Sequence, residues 1–262
     1  MSSVRQPAVA GSFYPANPKD LREALTELLA AHQEDRHSVP KAIIAPHAGY
    51  IYSGSIAAAV YARIAPARKS ITRVVLLGPA HRVGFPGLAI SSDDYFSSPL
   101  GNIPLDQQAV ESITPLPFVS IFNKAHEQEH SLEVHLPFLQ TVLDDFSLVP
   151  IVVGDATAEQ VGKVLDSLWG GPETLIVVSS DLSHYHDYDT ARRMDRQTSR
   201  AIESLQWEQI DFGNACGRIP VNGLLFTANK RHMSATIVDV RNSGDTAGSK
   251  DQVVGYGAYA FN

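Results

Sequence analysis

The chain has 262 residues, of which 44% are hydrophobic and 19% charged, a composition typical of a globular protein with a substantial buried core. Its net charge of −7 and its lack of Lys/Arg-rich blocks argue against nucleic acid or an anionic membrane as the main partner. No apolar run has the length of a membrane span and the N-terminus lacks an apolar signal segment, so we expect a cytoplasmic protein.

Seven short apolar, β-branched segments predict strands in chain order. They are KAIIAP (41–46), RVVLLG (73–78), GLAIS (87–91), LVPIVV (148–153), TLIVVSS (174–180), TIVDVR (236–241) and VVGYGAYAF (253–261). Helical patterns lie between them, at 20–30, after Ser53-Gly54, after Pro104, from Ser131, at 156–169 and at 187–205. This alternation predicts an α/β fold: a single domain over 1–262 with a central mixed, mostly parallel sheet and helices on both faces.

Three of the predicted strands are followed by a histidine. His47 follows the strand at 41–46, and His81 and His184 follow two later strands. Because ligands of open α/β sheets bind beyond the carboxyl ends of the strands, we expect these imidazoles to share one site. Such a set suits a mononuclear metal. Two histidines with one carboxylate and open positions suit iron(II), and the same donors also suit zinc or copper.

Other polar residues near these strand ends have competing interpretations. Asp181, three residues before His184, either orients a histidine ring or caps the following helix. Asp245 lies in the loop SGDTAGS, where Gly244 beside it favours a turn. The single cysteine, Cys216, excludes an internal disulfide and a cysteine-rich zinc site, and we interpret it as a small buried hydrophobic residue.

Residues 126–130, HEQEH, match the H-E-x-x-H pattern of zinc metalloproteases, in which two histidines one helical turn apart bind zinc. Ser131 has the character of a helix start, which leaves His126 outside the helix, and Pro137 would disturb a helix that began earlier. The longer metzincin pattern is also absent. We therefore interpret the match as accidental and place His126 and Glu127 in a loop or at the surface.

Six segments together resemble the Memo family, whose prokaryotic members are protein B of the AmmeMemoRadiSam set. They are RQPAVAGSFYPANP near the N-terminus, PHAGYIYSG (46–54), LLGPAH (76–81), EHSLEVHLPFL (129–139), VVSSDLSHY (177–185) and GDTAGSKDQVVGYGAYAF (244–261). They span nearly the whole chain in order and are specific in combination. The resemblance implies a fold similar to that of the class III extradiol ring-cleaving dioxygenases, which use non-haem iron.

By this resemblance, His47 and His81 are the two metal-binding imidazoles, and His130 and His184 are pocket histidines that act as acid or base. The third ligand, in the segment before the last strand, is a glutamate in the dioxygenases and a cysteine in animal Memo proteins. This chain has neither there, so Asp245 is the nearest candidate and His184 is the alternative. The implied cofactor is a divalent metal, iron(II) first, with copper or zinc as alternatives.

Three functions are compatible with this pattern. A dioxygenase-like oxidoreductase would take a small-molecule or peptide ligand and oxygen into the histidine pocket. A non-catalytic protein would use the same pocket to bind metal, a peptide or a partner, and the missing strong third ligand favours it. A hydrolase with a metal-bound water is the third, although no phosphate-cradling Gly loop accompanies it. The resemblance also implies radical-SAM-system partner proteins, and it implies no particular substrate.

Overall fold

The computed structural model describes residues 2–32 and 38–262. Its strands are β1 (Val4–Arg5), β2 (Ala42–Ala45), β3 (Arg73–Pro79), β4 (Leu88–Ile90), β5 (Tyr95–Ser98), β6 (Gly101–Pro104), β7 (Val119–Ile121), β8 (Ser147–Val153), β9 (Thr174–Ser179), β10 (Asp181–His186), β11 (Ala235–Asn242) and β12 (Val253–Phe261). Its helices are α1 (Pro18–Ala30), α2 (Tyr50–Tyr61), α3 (Gln107–Ile113), α4 (Lys124–Glu127), α5 (His130–Glu133), α6 (Leu136–Val142), α7 (Ala158–Leu168), α8 (Tyr188–Glu203) and α9 (Arg218–Lys230).

A nine-stranded mixed sheet forms the centre of the molecule, in the order β10-β12-β2-β9-β3-β8-β4-β7, with β11 paired to β12. The inner strands β2, β9, β3 and β8 are parallel, as are β4 and β7. Strand β12 is antiparallel to β2, β10 and β11, and β4 is antiparallel to β8. The predicted mixed sheet is confirmed, and its parallel strands occupy the middle.

Helices cover both faces of this sheet. Val74 and Leu76 of β3 belong to a core that includes residues of α1, α2 and α6, whereas Val75 and Leu77 belong to a core that includes residues of α7 and α9. Because successive side chains of a strand point to opposite faces, the uninterrupted apolar run of β3 is buried on both sides. The predicted α/β architecture with helices on both faces is therefore confirmed.

The N-terminal segment is tied to the central part of the chain by a buried ion pair. Arg5 pairs with Glu133 of α5 and donates to the backbone oxygens of His126, at 3.0 Å, and Glu129, at 2.7 Å. Glu133 also accepts a hydrogen bond from the Tyr14 hydroxyl at 2.6 Å. These contacts fix residues 5–14 beside α5, which begins at the candidate site.

Two elements near the site were not predicted from the sequence. Pro220 and Gly223 interrupt the helical pattern of α9, yet a β carbon at Gly223 would lie 2.2 Å from Val161 of α7. The glycine that obscures the helix is thus required by the close packing of α7 and α9. Strand β10 was not predicted because its sequence, DLSHYH, is polar, and its register with β12 shifts on either side of His184. None of the helices in the described parts of the chain is long and apolar enough to cross a membrane.

Candidate metal centre

The side chains of His47, His81 and Cys216 converge at the carboxyl edge of the parallel strands. One potential ligand atom from each lies within 4.8 Å of the other two. His47 Nε2 is 3.3 Å from Cys216 Sγ, and the ring centroids of His47 and His81 are 5.1 Å apart. The three residues therefore offer two imidazole nitrogens and one sulfur to a single metal ion, a donor set that suits iron, copper or zinc.

Hydrogen bonds around His47 fix which ring nitrogen faces this centre. His47 Nδ1 lies 2.6 Å from Ser179 Oγ, and the Ser179 hydroxyl donates its only hydrogen to the backbone oxygen of Ser131 at 2.6 Å. Ser179 can therefore only accept from His47, so Nδ1 carries the proton and Nε2 keeps a lone pair. That lone pair belongs to the nitrogen that lies beside Cys216, as a metal ligand requires.

A carboxylate orients His81 in the same way. His81 Nδ1 donates to Glu129 Oε1 at 2.8 Å, and the backbone N–H of His81 donates to Glu129 Oε2 at 2.6 Å. Burial would raise the pKa of Glu129, but the hydrogen bonds from His81 and Ser131 outweigh it and hold that pKa at about 2. An ionised Glu129 keeps the His81 proton on Nδ1 and leaves Nε2 free to bind a metal.

A second cluster, formed by His81, Glu129 and His130, also has a spacing that could hold a metal. It is the weaker candidate because both Glu129 oxygens already accept hydrogen bonds from His81, and Oε1 accepts another from Ser131 at 2.9 Å. These three hydrogen bonds occupy most of the lone pairs of the Glu129 carboxylate, which makes it a poorer ligand for an ion. In the cluster of His47, His81 and Cys216, both Nε2 atoms carry a lone pair, and the Cys216 thiol would lose its proton on binding a metal.

Cys216 is brought to this centre by the loop that starts α9. The backbone N–H of Asp181 lies 3.3 Å from its Sγ, and a β carbon at the next residue, Gly217, would lie 2.5 Å from the Ser179 backbone oxygen. Only a glycine there lets the loop approach the end of β9 so closely. Burial, followed by the nearby Asp181 carboxyl, raises the pKa of the Cys216 thiol, so in the metal-free protein the sulfur is protonated.

The interpretation of Cys216 as a small hydrophobic residue is therefore corrected. It is only half-buried, and its sulfur faces His47 rather than an apolar core. No spacing in the sequence relates Cys216 to the histidines. Prediction of α9 would have placed it at a helix start, beside the strand ends that carry the histidines.

Asp181 supports the site through the backbone. Its Oδ1 accepts a hydrogen bond from the backbone N–H of His47 at 2.8 Å, while its Oδ2 is 3.9 Å from His47 Nε2. Burial raises the pKa of Asp181 to about 6. Asp181 lies beside His47 and at the start of β10, where there is no helix for it to cap. Of the two roles considered from the sequence, its position therefore favours support of the histidine.

His130, at the start of α5, stacks on His81 with ring centroids 4.5 Å apart, and the ring of Phe13 makes a tilted contact with it at 5.0 Å. Its Nδ1 is buried and has no hydrogen-bond partner among the described residues. Burial lowers the pKa of His130 to about 4, so the ring is neutral at pH 7. His184 projects from the irregular strand β10, and its Nδ1 donates to the backbone oxygen of Leu182 at 2.8 Å, so Nε2 carries the lone pair of the neutral ring.

A cavity of about 850 Å³ adjoins these residues, a volume suited to a ligand much larger than oxygen or water. His47, His81, His130 and His184 all line it, as does Cys216. The sequence-based expectation that histidines from separate strand ends share one pocket agrees with this arrangement. Apolar side chains form much of the remaining wall, among them Phe85, Leu182, Tyr185, Phe212 and Ile219.

Asp245, the nearest sequence candidate for the third ligand, does not lie with the histidines. Its Oδ1 accepts from the Tyr188 hydroxyl at 2.5 Å, and its Oδ2 accepts from the backbone N–H of Asn242 at 3.0 Å. It lines a separate cavity of about 300 Å³ between α8 and β11. Asp245 therefore lines a different cavity from the histidines, and the turn role accounts for its contact with the Asn242 backbone.

His126 and His130 of the H-E-x-x-H match do not fall in one metal-spaced group of the described residues, and the surroundings of the segment differ from the prediction. His126 is buried rather than at the surface, and its Nε2 lies 3.1 Å from the Ala89 backbone oxygen. His130 begins α5, whereas His126 belongs to the separate short helix α4, so the two rings do not share a helix face. Later in the segment, Glu133 and His135 are also buried, the latter with Nδ1 2.9 Å from the Tyr61 hydroxyl.

Comparison with known proteins gives the family. The profile of the Memo-like protein family matches residues 5–260. A MEMO1 family protein of Aquifex aeolicus is 39% identical, with 97% of each chain covered. A MEMO1 family protein of Methanosarcina barkeri is 35% identical, with 97% of this chain and 98% of that protein covered. The chain belongs to the Memo family, as the sequence resemblance indicated.

A solved structure shares the fold. The crystal structure of the uncharacterized protein JW3007 from Escherichia coli K12 matches with a TM-score of 0.50 and covers 82% of this chain and 98% of that one. The sequence identity is 13%, so this likeness concerns the fold alone.

Proposed function

We propose that this Memo-family protein is a mononuclear, non-haem metal-dependent oxidoreductase whose metal is held by His47, His81 and Cys216. The observation that carries the proposal is the orientation of the two imidazoles. In His47, Nδ1 donates its proton to Ser179, and in His81, Nδ1 donates to Glu129. In both rings Nε2 therefore carries the lone pair that a metal would bind. Iron(II) is the proposed metal because three protein donors leave open positions of the kind that non-haem iron enzymes use, here with a thiolate in place of the carboxylate.

A metal held there would supply open coordination positions and electron transfer to a ligand in the cavity. The chain's own residues would hold that ligand and move its protons. His184 can accept a proton at Nε2, because its Nδ1 is committed to the Leu182 oxygen. Neutral His130 can act as a second acceptor, and such general acid–base assistance is typically worth about 10²–10⁴ in rate.

The other candidate is a non-catalytic protein that binds metal or a peptide in the same cavity. Two exposed aromatic side chains at the cavity, Tyr185 and Phe212, favour it, with 70% and 87% of their surface exposed. Exposed apolar side chains of this size beside a cavity are typical of a surface that contacts another molecule. The oxidoreductase requires the metal centre, whereas peptide binding does not, so metal binding is tested first and catalysis second.

The experiment loads purified protein anaerobically with iron(II), copper(I) or zinc, measures bound metal after desalting, and then follows oxygen uptake with a panel of catechols. We expect about one metal per chain, lost in His47→Ala and His81→Ala and retained in the matched control His186→Ala. His186 lines the cavity but is outside the cluster. Metal binding without oxygen uptake would favour the binding function. Unchanged metal content in the first two variants would refute the site.

A further inference from the structure

The cavity beside the metal centre contains a cation that the metal centre does not use. Arg218 is the first residue of α9, two positions after Cys216, and its side chain lines the cavity. Its guanidinium lies over the ring of Phe212, 5.8 Å from the centroid. Among the described residues, no carboxylate forms an ion pair with Arg218 and no side chain or backbone group accepts a hydrogen bond from its guanidinium.

The carboxylates of the cavity do not neutralise this charge. Asp181 and Asp155 both line the cavity. Asp181 accepts a hydrogen bond from the backbone N–H of His47, and Asp155 is exposed to solvent; neither forms an ion pair with Arg218. Arg218 lines the cavity and its guanidinium lies over Phe212, another lining residue, so we expect its planar fork of five N–H donors, which matches a carboxylate, to be within reach of a ligand there.

The wall of this cavity includes apolar side chains and one residue with a strained backbone. Tyr185, beside His184, has a φ of 60°, a left-handed conformation that glycine adopts readily but that is rare for a bulky residue. Backbone strain of this kind concentrates at ligand-binding sites. The Tyr185 ring and the exposed ring of Phe212 both line the cavity, so an apolar or aromatic group can pack between them and the histidines.

We infer that Arg218 is a specificity-determining residue, which binds the carboxylate of a small ligand whose apolar or aromatic body fills the cavity beside the metal centre. This inference deepens the proposed function and rests on it for the role of the cavity as the ligand site. A free small acid and the carboxyl terminus of a peptide share this chemistry, and the choice of probes separates them.

The test measures binding by isothermal titration with two acid–amide pairs, 3-phenylpropionate with 3-phenylpropanamide and N-acetylphenylalanine with its primary amide. The first pair represents a small acid and the second a peptide carboxyl terminus. We expect the acid of at least one pair to bind the wild-type protein about tenfold or more tightly than its amide, since hydrogen bonds to charged groups are the stronger ones. Arg218→Gln should abolish this preference, and Arg218→Lys should reduce it because the fork is lost.

The matched control is Arg193→Gln, which removes an exposed arginine of α8 outside the cavity and should leave the preference unchanged. Equal binding of acid and amide, no measurable binding of any probe, or a preference that survives in Arg218→Gln would overturn the inference. If Arg218→Gln does not fold by circular dichroism, the decision falls to Arg218→Lys, where an unchanged preference overturns it.

Titrations of both metal-free and zinc-loaded protein separate this inference from the proposed function. An acid preference in protein that takes up no metal would support Arg218 and refute the metal centre. A protein that binds metal through His47, His81 and Cys216 but does not distinguish acid from amide would refute Arg218 alone.

Discussion

His47 Nε2 and Cys216 Sγ lie 3.3 Å apart although 169 positions separate the two residues in the sequence. His47 follows strand β2, and Cys216 lies in the loop before α9. The other ring nitrogen of His47 is held by Ser179, so the nitrogen that faces the sulfur is the unprotonated one. The relationship makes Cys216, rather than a residue near the last strand, the expected third donor of the metal centre.

The carboxylate that orients His81 should contribute strongly to metal affinity. Glu129→Gln removes the negative charge that holds the His81 proton on Nδ1. Loss of such a partner of a ligating histidine typically costs about 10–100-fold in affinity, and we expect a decrease in this range in competition titrations with a metal chelator. Glu127→Gln is the control because Glu127 is exposed nearby. Equal affinities in wild type and Glu129→Gln would contradict the role of the carboxylate.

The tautomer of His47 can be measured directly in metal-free protein. The ring ¹⁵N shifts should show a protonated Nδ1 and an unprotonated Nε2 for His47, because Ser179 has no hydrogen left to donate to the ring. Ser179→Ala should allow the other tautomer and weaken metal binding. A His47 ring protonated on Nε2 in the wild-type protein would show that the assigned hydrogen bonds are wrong.

The buried ion pair between Arg5 and Glu133 should be important for folding. Arg5→Met leaves the Glu133 carboxylate buried without its counter-ion, and such a change typically costs about 3–5 kcal/mol. The matched control is the partly exposed pair of Arg68 and Asp144, at 2.8 Å, where Arg68→Met should cost less than about 1 kcal/mol. Urea denaturation measures both, and similar losses from the two variants would contradict the account.

Stability should fall as the solution becomes acidic, because neutral histidines are buried. Burial lowers the pKa of His135 to about 3. Between about pH 6.5 and pH 3, the histidine is therefore mostly protonated in the unfolded chain but mostly neutral in the folded chain. The contribution is fully present above pH 6.5 and is lost as pH falls towards about 3. At pH 5 the loss amounts to about 2 kcal/mol from this residue.

The variant His135→Phe isolates this effect from opposing groups. Burial raises the pKa values of Asp181 and Asp195 to about 6, so both carboxyls contribute stability that is present at low pH and is lost as pH rises towards 6. Those contributions are common to wild type and variant. The unfolding free energy of His135→Phe should therefore decline less between pH 6.5 and 4 than that of wild type, and parallel curves would contradict the assignment.

The central strands of the sheet could be predicted from the sequence. The apolar runs of β2, β3, β8 and β9 carry the signal of strands buried on both faces, and the histidines that follow β2 and β3 mark the edge where the site lies. His47 and His81 could be found in this way because their positions follow from the ends of parallel strands.

The proposed third donor, Cys216, could not be predicted by the same reasoning. Cys216 precedes α9, a helix whose apolar pattern is broken by Pro220 and Gly223. The position of Cys216 beside the histidines follows from where α9 packs, and α9 packs closely against α7. Such a tertiary contact has no period or spacing in the sequence. Asp245 was selected by its position before the last strand, whereas its side chain is committed to Tyr188 and Asn242.

The most direct test of the account compares the metal content of Cys216→Ala with that of Asp245→Ala after identical anaerobic loading with iron(II). We predict that Cys216→Ala loses most of its bound metal, because it removes one of the three converging donors. Asp245→Ala should retain about one metal per chain, because its carboxylate lines a different cavity. Loss of metal in Asp245→Ala with retention in Cys216→Ala would contradict the centre formed by His47, His81 and Cys216.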